Sequence, residues 1–113
     1  MTSGKHIRIL LADDHVVLRE GLRALVEMEP DMEVVAGVAN GRDAIKKTQE
    51  LAPDVVVMDI GMPELNGIDA TRQIKGQQPN VFILCLSVHR EERLVAAMLK
   101  AGASGYLLKT SAR

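Results

Sequence analysis

Two kinds of segment alternate along the chain. Short aliphatic runs occupy residues 7–12, 33–38, 55–58, 81–86 and 105–108. They are too short for helices, rich in Val, Ile and Leu, and continuous rather than alternating with polar residues. Runs of this kind are expected of strands covered on both faces, as in a parallel sheet. Between them, apolar positions recur at helical spacing. Leu18, Leu22, Leu25 and Val26 form one stripe, stopped by Pro30. Ile45, Thr48 and Gln49 lead on to Leu51 before Pro53. A weaker third segment, 67–77, turns Ile68, Thr71 and Ile74 inward. Leu94, Met98 and Ala101 form the fourth stripe, closed by Gly102 in the position just past a helix that glycine favours.

Two helix starts look alike, Asn40-Gly41-Arg42-Asp43 and Asn66-Gly67-Ile68-Asp69. In each, the Asn side chain can accept from a first-turn N–H, and the Asp three residues on suits the positive helix end. The resulting order, βαβαβαβαβ, predicts a parallel α/β sheet with right-handed crossovers and helices on both faces. The 113 residues end just after the fifth strand, so a fifth covering helix is expected to be lacking. One domain is expected, with no linker or low-complexity stretch.

Composition narrows the chemistry. Lys and Arg number 14 against 15 Asp and Glu, a formal net charge of −1, which argues against nucleic-acid binding by charge alone. Hydrophobic residues reach 47% but aromatics only 2%, so the core is aliphatic and base or sugar stacking is disfavoured. The single cysteine, Cys85, lies within an aliphatic run and is expected in the core; it allows no intramolecular disulfide. No apolar run approaches the ~20 residues of a membrane span, and Met1 to Lys5 carry no signal-peptide core. A cytoplasmic domain without a membrane partner is expected.

In an open parallel sheet, ligands bind beyond the carboxyl ends of the strands. Here those ends carry Asp13-Asp14 after the first strand, Asp59 after the third, Ser87 after the fourth and Lys109 after the fifth. Three carboxylates brought together repel one another, and a hard divalent cation such as Mg²⁺ removes the conflict. Ser87 and Lys109 then remain as donors to the oxygens of a phosphoryl group, and a carboxylate facing that group is a candidate nucleophile. Each residue alone has a plainer reading. Asp13 and Asp14 could cap the first helix, Asp59 could be a turn residue, and Tyr106 could fill a half-buried groove. His6, His15 and His89 show no ligand spacing, and none is assigned to a metal.

These residues resemble the receiver domain of bacterial two-component response regulators over essentially the whole chain. The segments that carry the resemblance are Leu10-Leu11-Ala12-Asp13-Asp14-His15, Met58-Asp59-Ile60-Gly61-Met62-Pro63-Glu64-Leu65-Asn66-Gly67, Ser87, and Gly105-Tyr106-Leu107-Leu108-Lys109. The resemblance implies a flavodoxin-like doubly wound sheet of strand order 2-1-3-4-5. Asp59 would be the phosphoacceptor for a sensor histidine kinase. Mg²⁺ would be held by Asp14, Asp59 and the Gly61 carbonyl, with Asp13 helping through water. Lys109 and Ser87 would contact the phosphoryl oxygens, and Ser87 and Tyr106 would form the switch. Leu86-Ser87-Val88-His89 and Ala101-Gly102-Ala103-Ser104-Gly105 look most like the NarL/FixJ type. In that type, DNA binding belongs to a C-terminal helix-turn-helix, so the chain would be the N-terminal part of a longer regulator, and a homodimer is among its expected partners.

Three departures from the pattern bear on phosphate lifetime. Thr110 follows the lysine where many receivers have proline, Val88 is bulkier than the small residue often found there, and Gly61 offers no side chain to orient water. Three rival readings are weaker. A flavin or nucleotide domain wants a glycine-rich first turn, whereas Asp13-Asp14-His15 repels bare phosphate. An aspartyl phosphatase wants a second carboxylate at Gly61. A pseudo-receiver, an interaction module that works without phosphorylation, has all five chemical positions against it.

Overall fold

Each aliphatic run becomes a strand, and each amphipathic stretch a helix. The computed structural model describes residues 6–87 and 92–108, with Ser87 and Leu108 described through their backbone only. In chain order these are β1 (Ile7–Ala12), α1 (Val16–Glu27), β2 (Met32–Val38), α2 (Gly41–Leu51), β3 (Val55–Asp59), α3 (Gly67–Gln77), β4 (Phe82–Ser87), α4 (Glu92–Ala101) and β5 (Gly105–Leu108). The sheet is entirely parallel, ordered β2-β1-β3-β4-β5, the flavodoxin-like arrangement. Strand ends shift slightly from the aliphatic runs. Met32 pairs with Ile7, while Asp59 pairs with Leu86 and Ser87 with Leu108, so ladder bonding carries β3 and β4 into polar residues.

Successive side chains face opposite sides of the sheet. Leu10, Ala12, Val56, Met58, Ile83 and Cys85 pack against Ala44 of α2, Ala70 and Ile74 of α3, and Met98 of α4. Ile9, Leu11 and Val34 face the other way, against Leu22 and Val26 of α1. Full burial of a side chain such as Leu10 or Ile83 stabilises by about 1.5–3 kcal/mol.

Three stripe positions differ from the periodicity. Leu25 is 63% exposed, because α1 rests on β1 and β2 through the narrower pair Leu22 and Val26. Gln49 is exposed and bonds to Gln77, so the buried row of α2 is Gly41, Ala44 and Thr48. Leu94 is likewise exposed, and Met98 and Ala101 are the buried residues of α4. Coverage of the sheet is also uneven. Phe82 lies beside Val55, and Leu107 beside Leu86, on the face that α1 covers in part; they remain 47% and 50% exposed.

The helix ends follow the expected chemistry. Asn40 Oδ1 accepts from the Asp43 N–H at 2.8 Å, and Asn66 Oδ1 from the Asp69 N–H at 2.9 Å. Gly102, at φ +122°, closes α4. There the Ala103 N–H donates to the Met98 carbonyl at 3.0 Å and the Gly102 N–H to the Leu99 carbonyl at 3.1 Å.

Candidate functional site

A parallel sheet brings every strand's carboxyl end to one edge. At that edge the Asp13 N–H still bonds to the Val38 carbonyl at 3.0 Å, so the first acidic residue is fixed by the sheet itself. Asp13 is buried; its Oδ1 accepts from the His15 N–H at 2.8 Å and lies 3.0 Å from His15 Nδ1. Arg19 Nη1, from α1, donates to the Asp13 carbonyl at 2.7 Å. The N-cap of α1 is His15, with no side-chain cap bond, so neither Asp13 nor Asp14 serves as that cap. Asp14 is exposed, with an oxygen 3.6 Å from His15 Nδ1.

Asp59, the last residue of β3, is buried as well. One ligand atom from each of Asp13, Asp14, His15 and Asp59 can be chosen so that all lie within 4.8 Å of one another. Three carboxylates at this spacing are a donor set that fits a hard divalent cation such as Mg²⁺. His15 is the member that spacing in the sequence did not single out; its adjacency to the Asp13-Asp14 pair at a strand end was the available signal.

The loop after Asp59 is drawn tight against it. The Gly67 N–H donates to the Ile60 carbonyl at 2.8 Å, and the Met62 N–H to the same carbonyl at 3.2 Å. Gly67 is required by close approach, since a Cβ there would sit 2.1 Å from the Asp59 carbonyl oxygen. Gly61 is exposed within this loop, and Glu64 holds a left-handed φ of +68° that a side-chain-bearing residue seldom adopts.

Ser87 ends β4 one residue beyond Leu86, the register partner of Asp59, so its backbone reaches the same edge. Tyr106 pairs with Cys85 and is 49% exposed. Cys85 is fully buried as expected, and its thiol is pushed up to about 12, first by burial and then by the negative charge of Asp59. It is a core residue without thiolate chemistry at neutral pH. Lys109, Val88, His89 and Thr110 lie outside the described residues. Thus the fold gathers Asp13, Asp14 and Asp59, and brings the backbone of Ser87 to their edge. Among the described residues, no helix is long and apolar enough to cross a membrane.

Residues 9–113 match the model of the response regulator receiver domain family. The chain is 47% identical over 103 residues to the transcriptional regulatory protein DegU of Brevibacillus brevis, covering 91% of this chain and 44% of that protein. It is 41% identical over 105 residues to the transcriptional regulatory protein LiaR of Bacillus subtilis, covering 93% and 50%. The chain therefore spans about half the length of these relatives. Among solved structures, a LuxR-family two-component response regulator from Aurantimonas superposes with a TM-score of 0.89 at 40% identity, covering 95% of this chain and 76% of that one. The signal receiver domain of the response regulator NarL from Mycobacterium tuberculosis gives 0.90 at 29% identity, covering 96% and 87%.

Proposed function

The chain belongs to the response regulator receiver domain family, and from that premise we propose that it is a phosphorylation-dependent switch with Asp59 as phosphoacceptor. The observation that carries this reading is the buried Asp59 at the end of a central strand, gathered with Asp13 and Asp14. An Asp59 carboxylate oxygen attacks the phosphorus of a phosphohistidine on a sensor histidine kinase. The new O–P bond is an acyl phosphate, and the P–N bond breaks to release the imidazole. Asp14, Asp59 and the Gly61 carbonyl, with Asp13 acting through water, are the residues that would hold Mg²⁺. Bound there, the ion supplies positive charge against the carboxylates and the phosphoryl oxygens. Lys109 pairs with those oxygens, and Ser87 donates a hydrogen bond to them.

Ser87 and Tyr106 then convert the new charge into a change of the α4–β5 surface, Tyr106 moving inward from its half-exposed position. The domain assists its own phosphorylation and dephosphorylation but acts once per phosphoryl group, as a switch in a phosphorelay. The 113 residues form the N-terminal part of a longer cytoplasmic regulator. Its output domain, transcriptional in kind, makes the DNA contact, and a homodimer is a partner consistent with this role.

Intact mass after incubation with Mg²⁺ and acetyl phosphate tests the reading directly. The native chain gains one phosphoryl group, about 80 Da, whereas Asp59→Asn gains none and keeps its circular dichroism spectrum. Uptake by the Asn variant would remove Asp59 from its role. No uptake by a folded native chain would leave the phosphorylation-independent interaction module instead.

A further inference from the structure

The loop that follows Asp59 is pressed from outside by an element that contributes nothing to the acidic edge. Gly41, the first residue of α2, is buried against it. A Cβ added at Gly41 would lie 2.1 Å from the Leu65 carbonyl oxygen, 2.8 Å from its carbonyl carbon and 3.0 Å from its Cβ. Van der Waals contact requires α2 and the loop to part by roughly 1 Å to admit that one carbon.

Neither side has an easy way to give. The atoms met are mainly backbone, which cannot swing aside as a side-chain tip would. The Leu65 N–H is itself bonded to the Pro63 carbonyl at 2.7 Å, and the Leu65 side chain packs on the core. On the other side, α2 is seated by fully buried Ala44 and Thr48, and its first turn is held by Asn40. The displacement therefore falls on the loop carrying Gly61, because at its far end Gly67 lies against the Asp59 carbonyl. Two further features mark this loop as held in place by its neighbours. Glu64 sits at φ +68°, and Arg42, next to Gly41, reaches it with Nε 3.7 Å from Oε1.

We propose that Gly41 is a positioning residue for phosphoryl transfer: lacking a side chain, it lets α2 press on Leu65 and hold the Gly61 loop against Asp59. It touches neither metal nor substrate and acts through the loop backbone. The inference rests on Asp59 being the phosphoacceptor and adds α2 to the machinery that shapes its site.

The test compares Gly41→Ala with Ala44→Gly, which loosens the same helix from its buried face and adds no atom toward the loop. Both are made in a Gly21→Ala/Gly76→Ala background. Added Cβ atoms at those two exposed helical positions meet nothing within 4 Å, so the background offsets lost stability. Mg²⁺ affinity is read by calorimetric titration, the rate of mass gain with acetyl phosphate by mass spectrometry, and folding by circular dichroism. A misplacement of ~1 Å near reacting atoms can cost ~10²-fold, so folded Gly41→Ala is expected to lose about tenfold or more in both readouts, with Ala44→Gly within about twofold.

A folded Gly41→Ala that matches its parent in both readouts overturns the proposal, as does an Ala44→Gly that loses as much. Failure of Gly41→Ala to fold in this background also overturns it, since the contact would then serve the fold at large. A parent chain that gains no mass refutes the phosphoacceptor reading, and the Mg²⁺ titration still decides the role of Gly41.

Discussion

At the scale of single residues, Cys85 records the electrostatics of the site from within the core. Its thiol is pushed from 9.0 to about 12 by burial and by the charge of Asp59. Between those values the unfolded chain releases the proton while the folded chain keeps it. The folded state then binds more protons, so stability falls as pH rises. The stabilisation is fully present below pH 9 and is lost as pH climbs toward about 12. Other groups titrate in this range, so the informative quantity is the difference between the native chain and Cys85→Ala. That difference is expected to be level below pH 9 and to shift against the native chain above it, as measured by urea titrations over a pH series. Asp59→Asn removes the second cause and is expected to bring the thiol pKa down, which thiolate absorbance can follow. The same residue scale shows where a linear reading reaches its limit. Asp13, Asp14 and Asp59 were legible because each closes an aliphatic run, and strand ends of a parallel sheet converge. The proximity of His15 to Asp59 was not, because it arises from β1 and β3 being neighbours in the sheet. The left-handed Glu64 and the contact of Gly41 with Leu65 are likewise products of packing between elements.

At the scale of elements, the caps and the glycines carry separable contributions. Asn66 satisfies the Asp69 N–H at the start of α3, and that start lies against the Asp59 carbonyl. Asn66→Ala is expected to cost about 1 kcal/mol in urea unfolding. Gly21 has the opposite character: it is exposed in the middle of α1, and a Cβ there meets nothing within 4 Å. Gly21→Ala should therefore stabilise by about 0.5–1 kcal/mol in the same measurement, through helix propensity and a more restricted unfolded chain. Every element could be read from the sequence because aliphatic runs and amphipathic stripes differ in length and period. The boundaries at Asp59 and Ser87 could not, since hydrogen bonding in the ladder, rather than hydrophobicity, sets where a strand ends. The stripes that turn Leu25, Gln49 and Leu94 inward are wider than the surface each helix meets.

At the scale of the whole molecule, the two faces of the sheet contribute unequally, and β4 tests this within two adjacent residues. Ile83 points to the face closed by α2, α3 and α4 and is wholly buried. Phe82 points to the face that α1 covers in part, and nearly half of it remains exposed. Side-chain size alone would make the phenylalanine the costlier truncation. Burial reverses the order, because the lost transfer energy and the cavity left behind both scale with what was enclosed. Ile83→Ala is expected to cost about 2–5 kcal/mol, and Phe82→Ala distinctly less, in urea unfolding with unchanged slope. Asp59 ends β3, the strand paired with β4, so the packing of β4 bears on the strand that carries the acidic edge. An equal cost for the two substitutions would mean that the α1 face is as tightly closed as the other.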